Sequence, residues 1–121
     1  MGQCIIANES RILRHIMRRI VERRGFDVVE ARDGPEVIDL FQQATPDLMC
    51  LDHGLPDIDG IAVMQILRTE NRIHILPRTL FTYIEYNEAL LKRALAAGAS
   101  ETIQMPFTAL QMDKLLEKMA A

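Results

Sequence analysis

The chain has 121 residues, of which 49% are hydrophobic and 26% charged, with a formal charge of −3. That is one globular domain over residues 1–121 with enough apolar material for a single hydrophobic core. The negative balance excludes a nucleic-acid-binding domain built on overall basicity, and no stretch reaches the roughly 18 apolar residues that a membrane span needs.

A strand is predicted over residues 4–7 (CIIA), ending at Asn8-Glu9. Residues 11–24 follow as a helix, with Ser10 placed to cap its start and Gly25 to end it. Its inward face is predicted to carry Ile12, Leu13, Ile16, Met17, Ile20 and Val21. A second strand, 27–31 (DVVEA), precedes a helix over 35–43, where Pro35 suits the first turn and Val37, Ile38, Leu40 and Phe41 point inward.

The third strand, 48–51 (LMCL), is continuously apolar, as a parallel strand covered on both faces is. It runs into Asp52 and a stretch punctuated by Pro56 and Gly60. The helix at 60–69 buries Ile61, Val63, Met64 and Leu67. A fourth strand, 78–82 (RTLFT), ends on Thr82, and its helix covers about 87–97 and stops at Gly98. The fifth strand, 101–105 (ETIQM), leads to Pro106-Phe107, and a last helix after Thr108 carries Leu110, Leu115, Leu116 and Met119.

Strand and helix alternating five times imply a five-stranded parallel sheet, doubly wound, with helices on both faces. Ligands of such sheets bind at the carboxyl ends of the strands, near the switch in strand order. Asn8-Glu9, Asp52 and Thr82 stand at those ends. Two carboxylates brought close repel unless a cation or a proton joins them, and oxygen ligands select a hard ion such as Mg²⁺. Acids after strands also serve as helix caps or solvated loop residues, and spacing alone does not separate the two.

The ordered set is more specific. Asn8-Glu9 after strand one, D-x-x-x-P-x-x-D-G as Asp52, Pro56, Asp59 and Gly60, Thr82 ending strand four, GAS at 98–100 and Pro106-Phe107 together resemble the receiver domain of bacterial response regulators. The likeness is to the single-domain chemotaxis type and covers essentially the whole chain. It implies a flavodoxin-like (βα)5 fold and a phosphoacceptor signalling domain rather than an enzyme, at most catalysing its own phosphoryl transfer and dephosphorylation. It also implies Asp52 as the nucleophile that takes a phosphoryl group from a histidine kinase or histidine phosphotransfer protein. Asp52, Glu9 and the Gly54 carbonyl would ligate Mg²⁺, and Thr82 would bond the phosphoryl oxygen and move inward on its arrival. The output would be binding to a downstream protein target, without DNA or membrane binding by this domain.

Several positions depart from the family pattern. Asn8 stands for the first acid of the pair, Met105 for a lysine, Thr102 for an aromatic on strand five, and Tyr83 for a small residue beside the site. Asn8 and Met105 remove one negative and one positive group together, so two carboxylates and Mg²⁺ still sum to zero. The missing ammonium is expected to slow phosphorylation by small donors. The rival reading is a pseudo-receiver, an interaction or anionic-ligand-binding module that works without phosphorylation.

Arginines ring helix one, and Arg11, Arg14 and Arg18 are candidates for docking an acidic partner, although charged helix surfaces are commonly just solvated. His15, His53 and His74 show no metal-ligand spacing. Cys4 and Cys50 lie in apolar runs rather than a CxxC, which predicts buried, reduced thiols in a cytoplasmic protein. Gly2 lacks the Ser or Thr that myristoylation needs, Ile6 standing in its place. The short first apolar run leads straight into polar residues, unlike a signal peptide.

Overall fold

The computed structural model describes residues 2–120. Its first half runs β1 (Gln3–Ala7), α1 (Arg11–Glu22), β2 (Asp27–Ala31), α2 (Gly34–Gln43) and β3 (Leu48–Asp52). Then come α3 (Gly60–Glu70), β4 (Arg78–Tyr83), α4 (Glu88–Ala97), β5 (Glu101–Gln104) and α5 (Ala109–Ala120). The strands form one parallel sheet in the order β2-β1-β3-β4-β5. The chain winds one way from β1 to β2 and the other way from β3 onward, so the switch point lies between β1 and β3.

Strand side chains alternate between faces, and the two cores follow that period. Ile5, Ala7, Met49, Leu51, Phe81 and Tyr83 pack on the side covered by α2, α3 and α4. Cys4, Ile6, Leu48, Cys50, Leu80 and Ile103 pack on the side covered by α1 and α5. Both central strands are therefore apolar at every core position, the pattern expected when helices cover each face. Cys4 and Cys50 are free, fully buried thiols, each 0% exposed, and contact with Cys50, then burial, push the Cys4 thiol up from its ordinary pKa.

The helix boundaries follow from local chemistry. Ser10 accepts a hydrogen bond from the Leu13 N–H at 3.2 Å, and Asn87 caps α4 the same way through Leu90. Asp33, not singled out in the sequence, caps α2 by accepting from Glu36 N–H at 2.8 Å, with Pro35 in the first turn. Gly98 ends α4 at φ 129, a backbone that favours glycine.

Several expectations change. Helix α1 ends at Glu22, and its buried residues are Arg14, Met17, Ile20 and Val21. Ile12 and Ile16, predicted to face inward, are 72% and 46% exposed. At 100° per residue the arc centred on Met17 and Val21 includes Arg14 and leaves Ile12 on the far side. Leu110 of α5 is likewise exposed, and Met112, Leu116 and Met119 hold that helix to the sheet. The ends of β4 and β5 also shift: Tyr83 is the last residue of β4, and Met105 lies just beyond β5.

Candidate functional site

Register assembles the site. Asp52 pairs with Thr82 across β3 and β4, and Ala7 pairs with Leu51, which sets Asn8 level with Asp52. Side-chain parity then continues the α1/α5 rows upward: Cys4–Ile6–Asn8, Leu48–Cys50–Asp52, Leu80–Thr82 and Ile103–Met105. A cleft of about 300 Å³ opens there, lined by Asn8, Glu9, Ser10, Leu13, Asp52, Gly54, Ile84 and Met105. The opposite parity sends His53 and Tyr83 to a second cleft of about 380 Å³, which also touches Asp52 and is closed by Ile84 to Asn87 and Leu90.

Asp52 is anchored at both oxygens. The Thr82 hydroxyl donates to Oδ1 at 2.6 Å, and the Gly54 N–H donates to Oδ2 at 3.0 Å. Thr82 is 0% exposed, so the residue expected to move inward already lies against the carboxylate. Asp52 caps no helix, its Oδ2 being taken by the Gly54 N–H. Asp59 caps α3, accepting from the Ala62 N–H at 2.9 Å. Gly60 is required by a close approach: a Cβ there would sit 2.4 Å from the Asp52 carbonyl oxygen.

Glu9 is exposed at the mouth of the first cleft. Asn8 is 4% exposed, and its Oδ1 accepts the Ser10 N–H at 2.8 Å. Among the described residues no group of three or more His, Cys, Asp or Glu side chains gathers as a metal cluster. Glu9 and Asp52 are the two carboxylates of the cleft. Met105 is buried at 6% exposure and gives the cleft a thioether where a cation would be expected. Thr102 pairs with Phe81, and Tyr83, with 7% exposure, packs on that same α4 side. Aromatic bulk thus stands on β4 rather than on β5.

Arg14 is the residue that sequence reasoning misplaced. It is 8% exposed, and its Nη1 donates to the Asn8 carbonyl at 2.8 Å and the Glu9 carbonyl at 3.2 Å. Its Nε donates to Glu30 at 2.9 Å, and Arg18 reaches the other oxygen of Glu30 at 2.9 Å while also pairing with Glu22. Burial raises the Glu30 pKa, but the bonds from Arg18 and Arg14 outweigh it and hold the carboxyl below its ordinary value. The signal was present: Arg14, Met17 and Val21 fall at the i, i+3, i+7 spacing of a buried stripe. Arg14 therefore holds the Asn8-Glu9 turn and is not free to dock a partner; Arg11 remains exposed.

His53 packs its ring against Phe81, with centroids 5.9 Å apart. Its Nδ1 is the one buried side-chain polar atom without a hydrogen-bond partner among the described residues.

A doubly wound parallel sheet with an anchored carboxylate at its switch point defines an α/β domain of the kind whose ligand crevice lies at the carboxyl ends of the strands. Residues 4–119 match the family model described as the response regulator receiver domain, and the chain belongs to that family. It is a receiver domain of two-component response regulators, a signalling domain. It is 27% identical to the chemotaxis protein CheY of Bacillus subtilis (strain 168) over 114 residues, 93% of this chain and 90% of that protein. With the response regulator MprA of Mycobacterium sp. (strain KMS) it shares 31% identity over 118 residues, which is 97% of this chain but 48% of that protein. The chain thus spans nearly all of one relative and about half the length of the other. The solved structure of Vibrio cholerae CheY4 has the same fold, with a TM-score of 0.88 at 21% identity, 98% of each chain being covered. A LuxR-family two-component response regulator from Aurantimonas sp. SI85-9A1 superposes with a TM-score of 0.85 at 27% identity, over 99% of this chain and 86% of that one. No described helix is long and apolar enough to cross a membrane.

Proposed function

We propose that Asp52 accepts a phosphoryl group from a phosphohistidine on a histidine kinase or phosphotransfer protein, and that the phosphorylated domain signals by binding a downstream protein. The observation that carries this reading is the anchored carboxylate: Asp52 is held by Thr82 and Gly54 at the sheet's switch point and open to a cleft on each side. A carboxylate oxygen of Asp52 forms a bond to phosphorus as the donor's phosphorus–nitrogen bond breaks, and the electron pair leaves with the imidazole. The Thr82 hydroxyl, already beside Asp52, is placed to donate to a phosphoryl oxygen.

The donor set of the first cleft fits a hard divalent cation such as Mg²⁺. Asp52, Glu9 and Gly54 line one opening wide enough to keep several waters, and the two carboxylates with the Gly54 carbonyl would supply oxygen ligands only. When bound, Mg²⁺ supplies positive charge that offsets repulsion between carboxylate and phosphoryl oxygens. Glu9 is kept in place for that role by Arg14, which grips the backbone carbonyl of Glu9.

For the donor protein, the outer face of α1 is the favoured dock. Arg11, Ile12, His15, Ile16 and Arg19 are all exposed there, along the helix that starts two residues after Glu9. An apolar pair flanked by basic groups suits a helical partner with an apolar stripe and acidic edges.

Incubation with Mg²⁺ and a panel of protein phosphohistidine donors tests the reading. An acid-labile acyl phosphate should form and disappear in Asp52→Asn. Label that persists in that variant, or no label from any donor, overturns it in favour of a module that works without phosphorylation.

A further inference from the structure

We infer that Asn8 presents a hydrogen-bond donor, not a metal ligand, to the phosphoryl pocket, and that its amino group takes over the task left open by Met105. The inference rests on the phosphoacceptor reading of Asp52 and concerns how this chain holds the incoming oxyanion.

The orientation of the amide is fixed by chemistry. A backbone N–H only donates, so the atom 2.8 Å from the Ser10 nitrogen is the Asn8 oxygen. The side chain is almost wholly buried, and it lines the cleft with Asp52 and Glu9. With Oδ1 turned back to Ser10, the Nδ2 amino group is what remains to face that cleft. Arg14 locks the arrangement from behind by bonding the Asn8 carbonyl at 2.8 Å. The Asn8 backbone N–H is also bound, donating to the Ala31 carbonyl at 3.1 Å.

Sign matters here. An aspartate at this position offers two acceptors and a negative charge. The asparagine as seated offers two donors and none. A pocket that loses its ammonium at Met105 needs a donor for the phosphoryl oxygens, since a thioether donates nothing. Asn8 stands level with Asp52 on the neighbouring strand, on the opposite side from Thr82. A phosphoryl group on Asp52 would then lie between the Thr82 hydroxyl and the Asn8 amino group.

The test uses the intact chain labelled with ¹⁵N, with the Asn8 amino pair identified by its loss in Asn8→Asp. Adding Mg²⁺ alone should leave that pair and the Ser10 amide in place. Adding beryllofluoride, a phosphoryl mimic, with Mg²⁺ should shift the Asn8 pair and slow its exchange with water. A Ser10 amide that moves on Mg²⁺ alone means that the oxygen has turned to the cation, which overturns the inference. So does an Asn8 pair left unmoved while the Gly54 and Thr82 amides respond to beryllofluoride. If none of the three responds, the phosphoacceptor reading itself falls. Rates give a second arm. Asn8→Asp should tighten Mg²⁺ binding yet slow transfer from a protein donor by about 30- to 1000-fold, the effect of losing one oxyanion donor. Adding Met105→Lys to it should restore the rate. An Asn8→Asp variant that is faster than wild type overturns the inference.

Discussion

The Thr82 hydroxyl donates to Asp52 Oδ1 at 2.6 Å, across a register pair that places the two residues side by side at the top of β3 and β4. Thr82 is fully buried, so the donor side of the bond is shut off from water while Asp52 stays open to the clefts. Thr82→Val keeps the shape and removes the donor. It should lower stability by about 1.5–3 kcal/mol, the usual scale for a hydrogen bond to a charged group, while Thr82→Ser stays near wild type. Urea titration of the three proteins at neutral pH reads this directly; equal midpoints for Val and wild type would show the bond contributes nothing.

Gly60 and Gly54 flank the same carboxylate and should respond differently. A Cβ at Gly60 would meet the Asp52 carbonyl oxygen at 2.4 Å, and backbone cannot yield cheaply. A Cβ at Gly54 would find the Asp52 Oδ2 at 3.3 Å, and Gly54 is exposed. Gly60→Ala should therefore cost roughly 3 kcal/mol or more and disturb Asp52, whereas Gly54→Ala should cost about 1 kcal/mol or less. Comparable melting temperatures for the two variants would contradict this.

Glu30 gives a pH signature. Its carboxyl is held below the ordinary value of 4.5 in the folded chain by Arg18 and Arg14, against the opposing effect of burial. A depressed folded pKa contributes stability that is present above the unfolded value and lost as pH falls through the folded one. Glu30→Gln should therefore destabilise the domain at pH 7, by about 1–3 kcal/mol because Arg14 keeps a buried charge with a weaker partner. The gap should narrow once pH drops below about 4.5. A gap that stays constant from pH 7 down to pH 3 would refute the linkage.

Output should run through β4. Tyr83 and Thr102 share the α4 side of neighbouring strands, the large residue on β4 and the small one on β5. A rearrangement on phosphorylation should then concentrate in residues 83–90, where Tyr83 and Leu90 pack in one cluster. Affinity for the target should change only a few-fold with beryllofluoride, because an equilibrium shift needs differential stabilisation and the β5 aromatic is missing. Tyr83→Leu should abolish even that change. A large shift that survives in Tyr83→Leu would mean the signal travels another way.

The fold was readable because its signals are local and redundant. Apolar runs marked the strands, Ser10 sat where a cap belongs, and Gly98 followed the last turn of α4. The candidate site was partly readable for the same reason, since Asp52 closes β3 and pairs in register with Thr82, one residue short of the end of β4. What stayed hidden depends on orientation. Arg14 looked like one more surface cation until its stripe-mates Met17 and Val21 proved buried. The direction in which the Asn8 amide points is set by a bond to Ser10 that no spacing rule reports. Ile12 and Ile16 looked like core because an apolar stripe can be wider than the face that is covered.

The two thiols offer a built-in clock. Cys4 and Cys50 lie at the centre of the sheet with no exposed surface, on two neighbouring inner strands. A bulky thiol reagent can reach them only when the sheet itself opens, so modification rates at low denaturant count openings rather than surface reactivity. A domain that carries no tryptophan thereby keeps its own reporter of rare excursions. The same reporter can ask whether a group bound at Asp52, two residues along β3 from Cys50, makes those excursions rarer.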